Sequence, residues 1–253
     1  MDLLNPYYLQ IIMFFIINAI MGISIYFTLA SGQLSLGAAG FMSVGAYVGA
    51  LLSLKVDMPI IVGIIVGGLV AAFVAVIIGL PTTRLKGLYL AIATLGFGEV
   101  VRVIFLNLDI TNGALGLSGI PSIPQELANY AYEFDFDGLL GLDAVTWGNL
   151  MASYVLLAIL VLVIAFCVRI NNSRVGRAFA AIKADDHAAE LMGINVVYYK
   201  MMAFIIGAFI AGIGGGVMMA SIGIQNLVNA SRELADAGAG AQITFGIIAL
   251  GIV

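Results

Sequence analysis

"LLNPYYLQIIMFFIINAIMGISIYFTLASGQLSLGAAGFMSVGAYVGALLSL", residues 3–54, contains no Asp, Glu, Lys or Arg. A bilayer core about 30 Å thick is crossed by about 20 apolar residues in a helix. This stretch is long enough to cross twice, and "SGQLSLG" (Ser31–Gly37) divides it. Two spans are predicted, Tyr8–Ala30 and Ala38–Leu54. Four more follow at Pro59–Leu80, Gly87–Leu106, Gly148–Val168 and Met201–Ile224. The closing run "AQITFGIIALGIV", thirteen residues from Ala241, makes only about 20 Å of helix and is too short to cross. The expected fold is all-α: a polytopic transmembrane helical bundle, one domain over 1–253.

Composition agrees. Of 253 residues, 62% are hydrophobic and 9% charged, with a mean hydropathy of +1.14. A soluble surface needs roughly a quarter of the residues charged, so the expected solvent is lipid. The single cysteine, Cys167, excludes a disulfide framework, and the single histidine, His187, excludes a multi-histidine metal site. A net charge of −4 argues against nucleic acid. No cofactor is expected. The N-terminus lacks the pattern of a cleaved signal peptide.

Basic residues orient the spans. Arg84 and Lys86 lie between the third and fourth. Arg169, Arg174, Arg177, Lys183 and Lys200 lie between the fifth and sixth. The loop 107–147 carries six acids and no Lys or Arg. The basic loops, including 170–199, are therefore expected in the cytoplasm, with loop 107–147 and the N-terminus outside.

Small residues recur at every fourth position: Gly63, Gly67, Ala71, Ala75 and Gly79 on the third span, Ala208, Gly212, Gly216 and Ala220 on the sixth, Gly45 and Gly49 on the second. Such stripes let helix backbones approach closely in lipid. "GIGGG" is no phosphate loop, because no Lys-Ser/Thr follows it. Ser31–Gly37, with Gln33 and Ser35, reads either as a cytoplasmic turn or as a broken helix lining a path. Glu99 and Arg102, three apart on one helix face, read either as a self-neutralising pair with Arg102 reaching the outer surface, or as part of that path. Asn18 is expected to bond a neighbouring helix.

"GRAFAAIKADDHAAELMGI" (Gly176–Ile194) reads as a polar helix outside the lipid, rich in alanine and ended by Gly193. Lys183, Asp186, His187 and Glu190 fall on one side. Ala181, Ala184, Ala188 and Met192 form a slim side opposite, suited to a groove in another protein.

Four blocks resemble the branched-chain amino-acid ABC permease family. They are "GQLSLGAAGFMSVGAY" (Gly32–Tyr47), "LPTTRLKGLYLAIATLGFGEVVR" (Leu80–Arg102), "TNGALGLSGIP" (Thr111–Pro121) and the run from Gly176 to Gly216. The likeness is closer to the subunit with the long external loop, and urea and short-amide permeases share the same blocks. The resemblance implies a permease subunit of an ATP-driven importer with no ATPase site of its own, in a prokaryotic inner (plasma) membrane. It implies ABC ATPase subunits, a second permease subunit and an extracytoplasmic substrate-binding protein as partners. Gly176, Arg177, Ala181, Asp185, Ala189 and Gly193 match the family's coupling motif. Beyond Gly216 the likeness fades, and a C-terminally truncated permease is expected. An ion-coupled secondary transporter is weakened because only Glu99 and Arg102 are charged deep in a span. A membrane enzyme is disfavoured by the lack of any nucleophile–base spacing.

Overall fold

The computed structural model describes residues 6–56, 58–82, 85, 87–113, 116–117, 119–120, 123–124, 127 and 144–222. Most of loop 107–147, the basic pair Arg84 and Lys86, and everything after 222, the apolar run from Ala241 included, lie outside the described residues. The described chain is all-helical. In order it runs α1 (Pro6–Ala30), α2 (Ala38–Lys55), α3 (Ile60–Thr82), α4 (Leu88–Asn107), a 3-10 turn (Asp109–Thr111), α5 (Ala144–Asn171), α6 (Arg174–Ala184), α7 (Asp186–Leu191) and α8 (Val196–Ile222). Six of these, α1 to α5 and α8, are long and apolar enough to cross a membrane.

Two spans are longer than the sequence reading has them. α5 continues to Asn171 until Ser173 caps the next helix, its Oγ accepting from the Val175 N–H at 3.1 Å. α8 starts before Lys200, where Asn195 Oδ1 accepts from the Tyr198 N–H at 3.0 Å. Both are capping residues whose oxygens satisfy first-turn donors.

α8 is the hub, packed mainly on α3, α2 and α1. The small-residue stripes make this possible. A Cβ on Gly45 would stand 2.1 Å from the Gly212 carbonyl oxygen, one on Gly67 would stand 2.6 Å from the Gly45 oxygen, and one on Gly215 would stand 1.9 Å from the Met42 oxygen. α2, α3 and α8 thus meet backbone to backbone. α5 packs on α1, and α4 leans on α2. The α2–α4 contact stacks Tyr47 on Phe105 at 4.1 Å and sets Phe97 against Phe41 at 4.8 Å. Leu117, Ile120 and Ile123 of the long loop join the main apolar core.

Five of the described basic residues gather at one end. Arg169 ends α5, Arg174, Arg177 and Lys183 lie on α6, and Lys200 lies on the first turns of α8. The C-terminal ends of α1 and α3 reach the same end: a Cβ on Gly32 would lie 3.3 Å from Lys183 Cα, and one on Gly79 2.5 Å from Met201 Sδ. Lys55 closes α2 one crossing away.

Candidate functional site

The stretch from Gly176 to Ile194 is not one helix. Asp185 takes an extended conformation (φ −160°, ψ 118°) and breaks it. Its backbone N–H still bonds to the Ala181 oxygen, ending α6. Its Oδ1 accepts from the His187 and Ala188 N–H groups at 2.8 and 3.2 Å, starting α7. Those two backbone donors, Ala188 first, hold the Asp185 carboxyl below its ordinary range. Aspartate is a poor helix interior residue and a good N-cap, so the chain breaks there. Gly193 (φ +83°) ends α7, its N–H donating to the Glu190 oxygen and the Ile194 N–H to the Ala189 oxygen, as an αL cap does.

The break resets which side chains face inward. Gly176, Ala178, Phe179, Ile182 and Ala189 are buried against the chain itself. A Cβ on Gly176 would stand 2.2 Å from the Asn171 oxygen. Phe179 meets Tyr199 of α8 edge-on at 6.4 Å. Lys200 Nζ donates to Asp186 Oδ2 at 2.5 Å, tying α7 to α8. On the outer side lie Arg177, Ala180, Lys183, Ala184, Asp185, His187 and Ala188. Leu191 and Met192 are 89% and 83% exposed. Of the coupling residues named from the sequence, Arg177, Asp185 and Gly193 are exposed, Ala181 is half-buried, and Gly176 and Ala189 are buried.

Ser31–Gly37 joins α1 to α2 without helix. It turns at Gly32 (φ +76°), where the backbone lies against Lys183. It then runs extended to α2, and the Leu36 N–H donates to Thr94 Oγ1 at 2.9 Å. Thr94 is six residues into α4, about 9 Å along it by helical rise, so α2 starts inside the span zone. Gln33 and Ser35 are buried, with Ser31 Oγ 3.5 Å from Gln33 Oε1 and the Gly37 N–H donating to Ser35 Oγ. Ser24, Thr28, Ser35, Phe41, Phe204 and Gly207 line a pocket of about 10 Å³ beside this segment, room for about one water.

Glu99 and Arg102 do pair. Arg102 Nε lies 3.0 and 3.1 Å from the two Glu99 oxygens, and Nη2 lies 2.5 Å from Oε1. The guanidinium reaches back one turn along α4 to Glu99 and not on toward the nearer helix end at Asn107. The Arg102 and Glu99 side chains are 49% and 58% exposed. Gln33 and Ser35 lie inside the bundle, so the four path residues named from the sequence fall into two separate places. Asn18 bonds its own helix, at the Phe14 oxygen.

The family described as "Branched-chain amino acid transport system / permease component" matches residues 7–253. The chain belongs to this family. The chain is 33% identical over 201 residues to the high-affinity branched-chain amino acid transport system permease protein LivM of Escherichia coli K12, and 32% identical to LivM of Salmonella typhimurium LT2. Each match covers 76% of this chain and 47% of the relative. The chain thus spans about half the length of the curated relatives it matches. No solved structure matches it.

Sequence reasoning missed several residues that place this region. Thr94 holds the α2 entry, Phe179 and Ile182 seat α6, and Lys200 anchors α7. The alternation of Phe179 and Ile182 with exposed alanines was a readable signal. The Lys200 contact spans fourteen residues and left none.

Proposed function

We propose that the chain is a transmembrane permease subunit of an ATP-driven importer for branched-chain or similar small amino acids. In this reading the basic end lies in the cytoplasm, the N-terminus lies outside, and loop 107–147 receives solute from a substrate-binding protein. α6 and α7 are the coupling element, seated in an ABC ATPase subunit. Gly176 and Ala189 serve that element from within, by holding it to the bundle. Arg177, Ala181, Asp185 and Gly193 shape its outer side. Gln33 and Ser35 border the segment that links this element to α2 and α4, and with Glu99 and Arg102 they serve the transport path.

The observation that carries the reading is the outward apolar strip of α6–α7. Ala180, Ala184, Ala188, Leu191 and Met192 are exposed while the bulky Phe179 and Ile182 face the bundle. Exposed apolar groups clustered on a polar element mark a protein contact. In this reading an ABC ATPase subunit covers it.

The test replaces Ala184 or Ala188 with Trp in the assembled complex. Bulk on the outer strip is expected to abolish co-purification of the ATPase and uptake of leucine, isoleucine and valine at unchanged membrane abundance. Lys183→Ala is expected to change either by less than about threefold, since an exposed charge is usually worth under about 1 kcal/mol. Normal assembly and uptake with Trp at both alanines would refute the coupling role.

A further inference from the structure

α1 closes at Gly32 (φ +76°), whose N–H donates to the Leu29 oxygen at 3.1 Å while the Gln33 N–H donates to the Thr28 oxygen at 3.0 Å. This pair of bonds around a left-handed residue is a Schellman close. It presents the Gly32 backbone to α6. A Cβ built there would lie 3.3 Å from Lys183 Cα and 3.9 Å from Lys183 Cβ. The approach is to main chain, so it does not depend on how the lysine side chain swings.

From Gly32 the chain runs straight to α4. Gln33 and Ser35 are buried, and Leu34 and Leu36 are exposed, the period-two pattern of extended backbone. The stretch from Gly32 to Leu36 covers about 13 Å at about 3.3 Å per residue, near the limit of a stretched chain. The Leu36 N–H then donates to Thr94 Oγ1 at 2.9 Å, and Thr94 is fully buried. The Thr94 hydroxyl donates in turn to its own helix, with the Leu90 and Ala91 oxygens at 2.9 and 3.1 Å. Just beyond, a Cβ on Gly37 would lie 3.3 Å from Thr94 Cβ, and one on Gly40 would lie 3.0 Å from Gly98 Cα. One end of this strap is thus set against α6 and the other is bonded to α4. A taut strap held at both ends conveys displacement, and a slack one does not.

We propose that residues 32–36 relay movement of α6 to α4, with Gly32 and Thr94 as the positioning residues at the two ends. This rests on the importer reading and assigns the route by which the coupling element reaches the helix that carries Glu99 and Arg102.

The experiment uses the assembled complex in proteoliposomes with its substrate-binding protein and radiolabelled leucine, in a Cys167→Ser background. Thr94→Val keeps the side-chain shape and leaves the Leu36 N–H without its acceptor. Thr94→Ser keeps the hydroxyl. A Gly-Gly insertion between Leu34 and Ser35 adds about 7 Å of slack, and an even number of residues preserves the alternation of faces. Thr94→Val and the insertion should each raise the ATP hydrolysed per leucine imported at least about tenfold, with ATPase co-purification unchanged. Thr94→Ser should stay within about threefold of the parent. Parental stoichiometry in either uncoupling variant would overturn the relay. So would a parallel loss of docking, ATP turnover and uptake, the pattern of a merely structural threonine. If one variant does not accumulate in the membrane, the other decides.

A second arm joins Gly32→Cys to Lys183→Cys, since a Cβ separation of 3.9 Å lies within disulfide range. The oxidised protein is compared with the same protein reduced, which cancels the strain of a side chain at Gly32, and with Lys183→Cys alone treated likewise. A disulfide should form and leave uptake within about twofold, because the turn and α6 move together. No disulfide, or uptake lost on oxidation, would overturn the proposal. A parent complex without ATPase or leucine uptake sinks the importer reading. A parent with both, whose variants keep its stoichiometry, sinks this inference alone.

Discussion

Glycines at single positions decide whether the bundle closes. Gly45 faces the Gly212 carbonyl so closely that an added methyl would lie 2.1 Å from its oxygen. The obstruction is backbone, so no side chain can swing away, and α2 and α8 must separate. Gly45→Ala is therefore expected to destabilise the protein by about 3 kcal/mol or more, at or beyond the upper end for overpacking. Gly22 is the internal control. It lies on the exposed face of α1 with nothing within 4 Å of a Cβ. Gly22→Ala should be neutral or stabilising by about 0.5–1 kcal/mol, the ordinary helix gain of Ala over Gly. Thermal midpoints of the detergent-purified proteins separate the two. A Gly45→Ala protein that melts with the parent would show that the helices are not in backbone contact.

At the scale of elements, α6 and α7 depend on one carboxylate. Asp185 ends one helix and starts the next, and its Oδ1 holds two backbone N–H groups. Because its folded pKa is depressed, the stabilisation it gives is fully present above the ordinary aspartate range. It is lost as pH falls through the lower folded value. The protection of the His187 and Ala188 amides, taken relative to their intrinsic exchange rates at each pH, should thus fall at acid pH in the parent. Asp185→Ala should show the low protection already at neutral pH, while protection in α8 stays unchanged. Equal protection of α7 in both proteins would remove Asp185 as the joint. The sequence reading had the helix signal here, since alanine propensity and Gly193 are local cues. It missed the break because Asp185 fits a helical period as well as it fits a cap. Ala189, matched to the coupling motif, is buried, because one continuous helix and two helices in series aim the same residues differently. The six spans were readable throughout, since burial in lipid imposes length and hydropathy on each segment separately. The stripes Gly63–Gly79 and Ala208–Ala220 were readable for the same reason: only small residues permit backbone contact. The direction of Glu99 was not readable, because a helix has no marked face until its neighbours are known.

At the scale of the molecule, orientation follows from how the ends are sorted. α5, α6 and the start of α8 bring Arg169, Arg174, Arg177, Lys183 and Lys200 to one end. The turn at Gly32 touches that end through Lys183, which fixes α1 as running toward it. Segments rich in Lys and Arg near span ends stay in the cytoplasm. The basic end is therefore expected inside, and the α2–α3 connection at Met58, one crossing away, outside. Met58 and Met192 are both exposed, so cysteines there should be reachable without disturbing the core. Cys167 is partly buried and is replaced by Ser to leave one thiol per protein. An impermeant maleimide applied to intact spheroplasts should label Met58→Cys at once. It should label Met192→Cys only after lysis. The reverse pattern would turn the molecule over, put the α6–α7 strip beyond reach of any cytoplasmic ATPase, and end the importer reading with it.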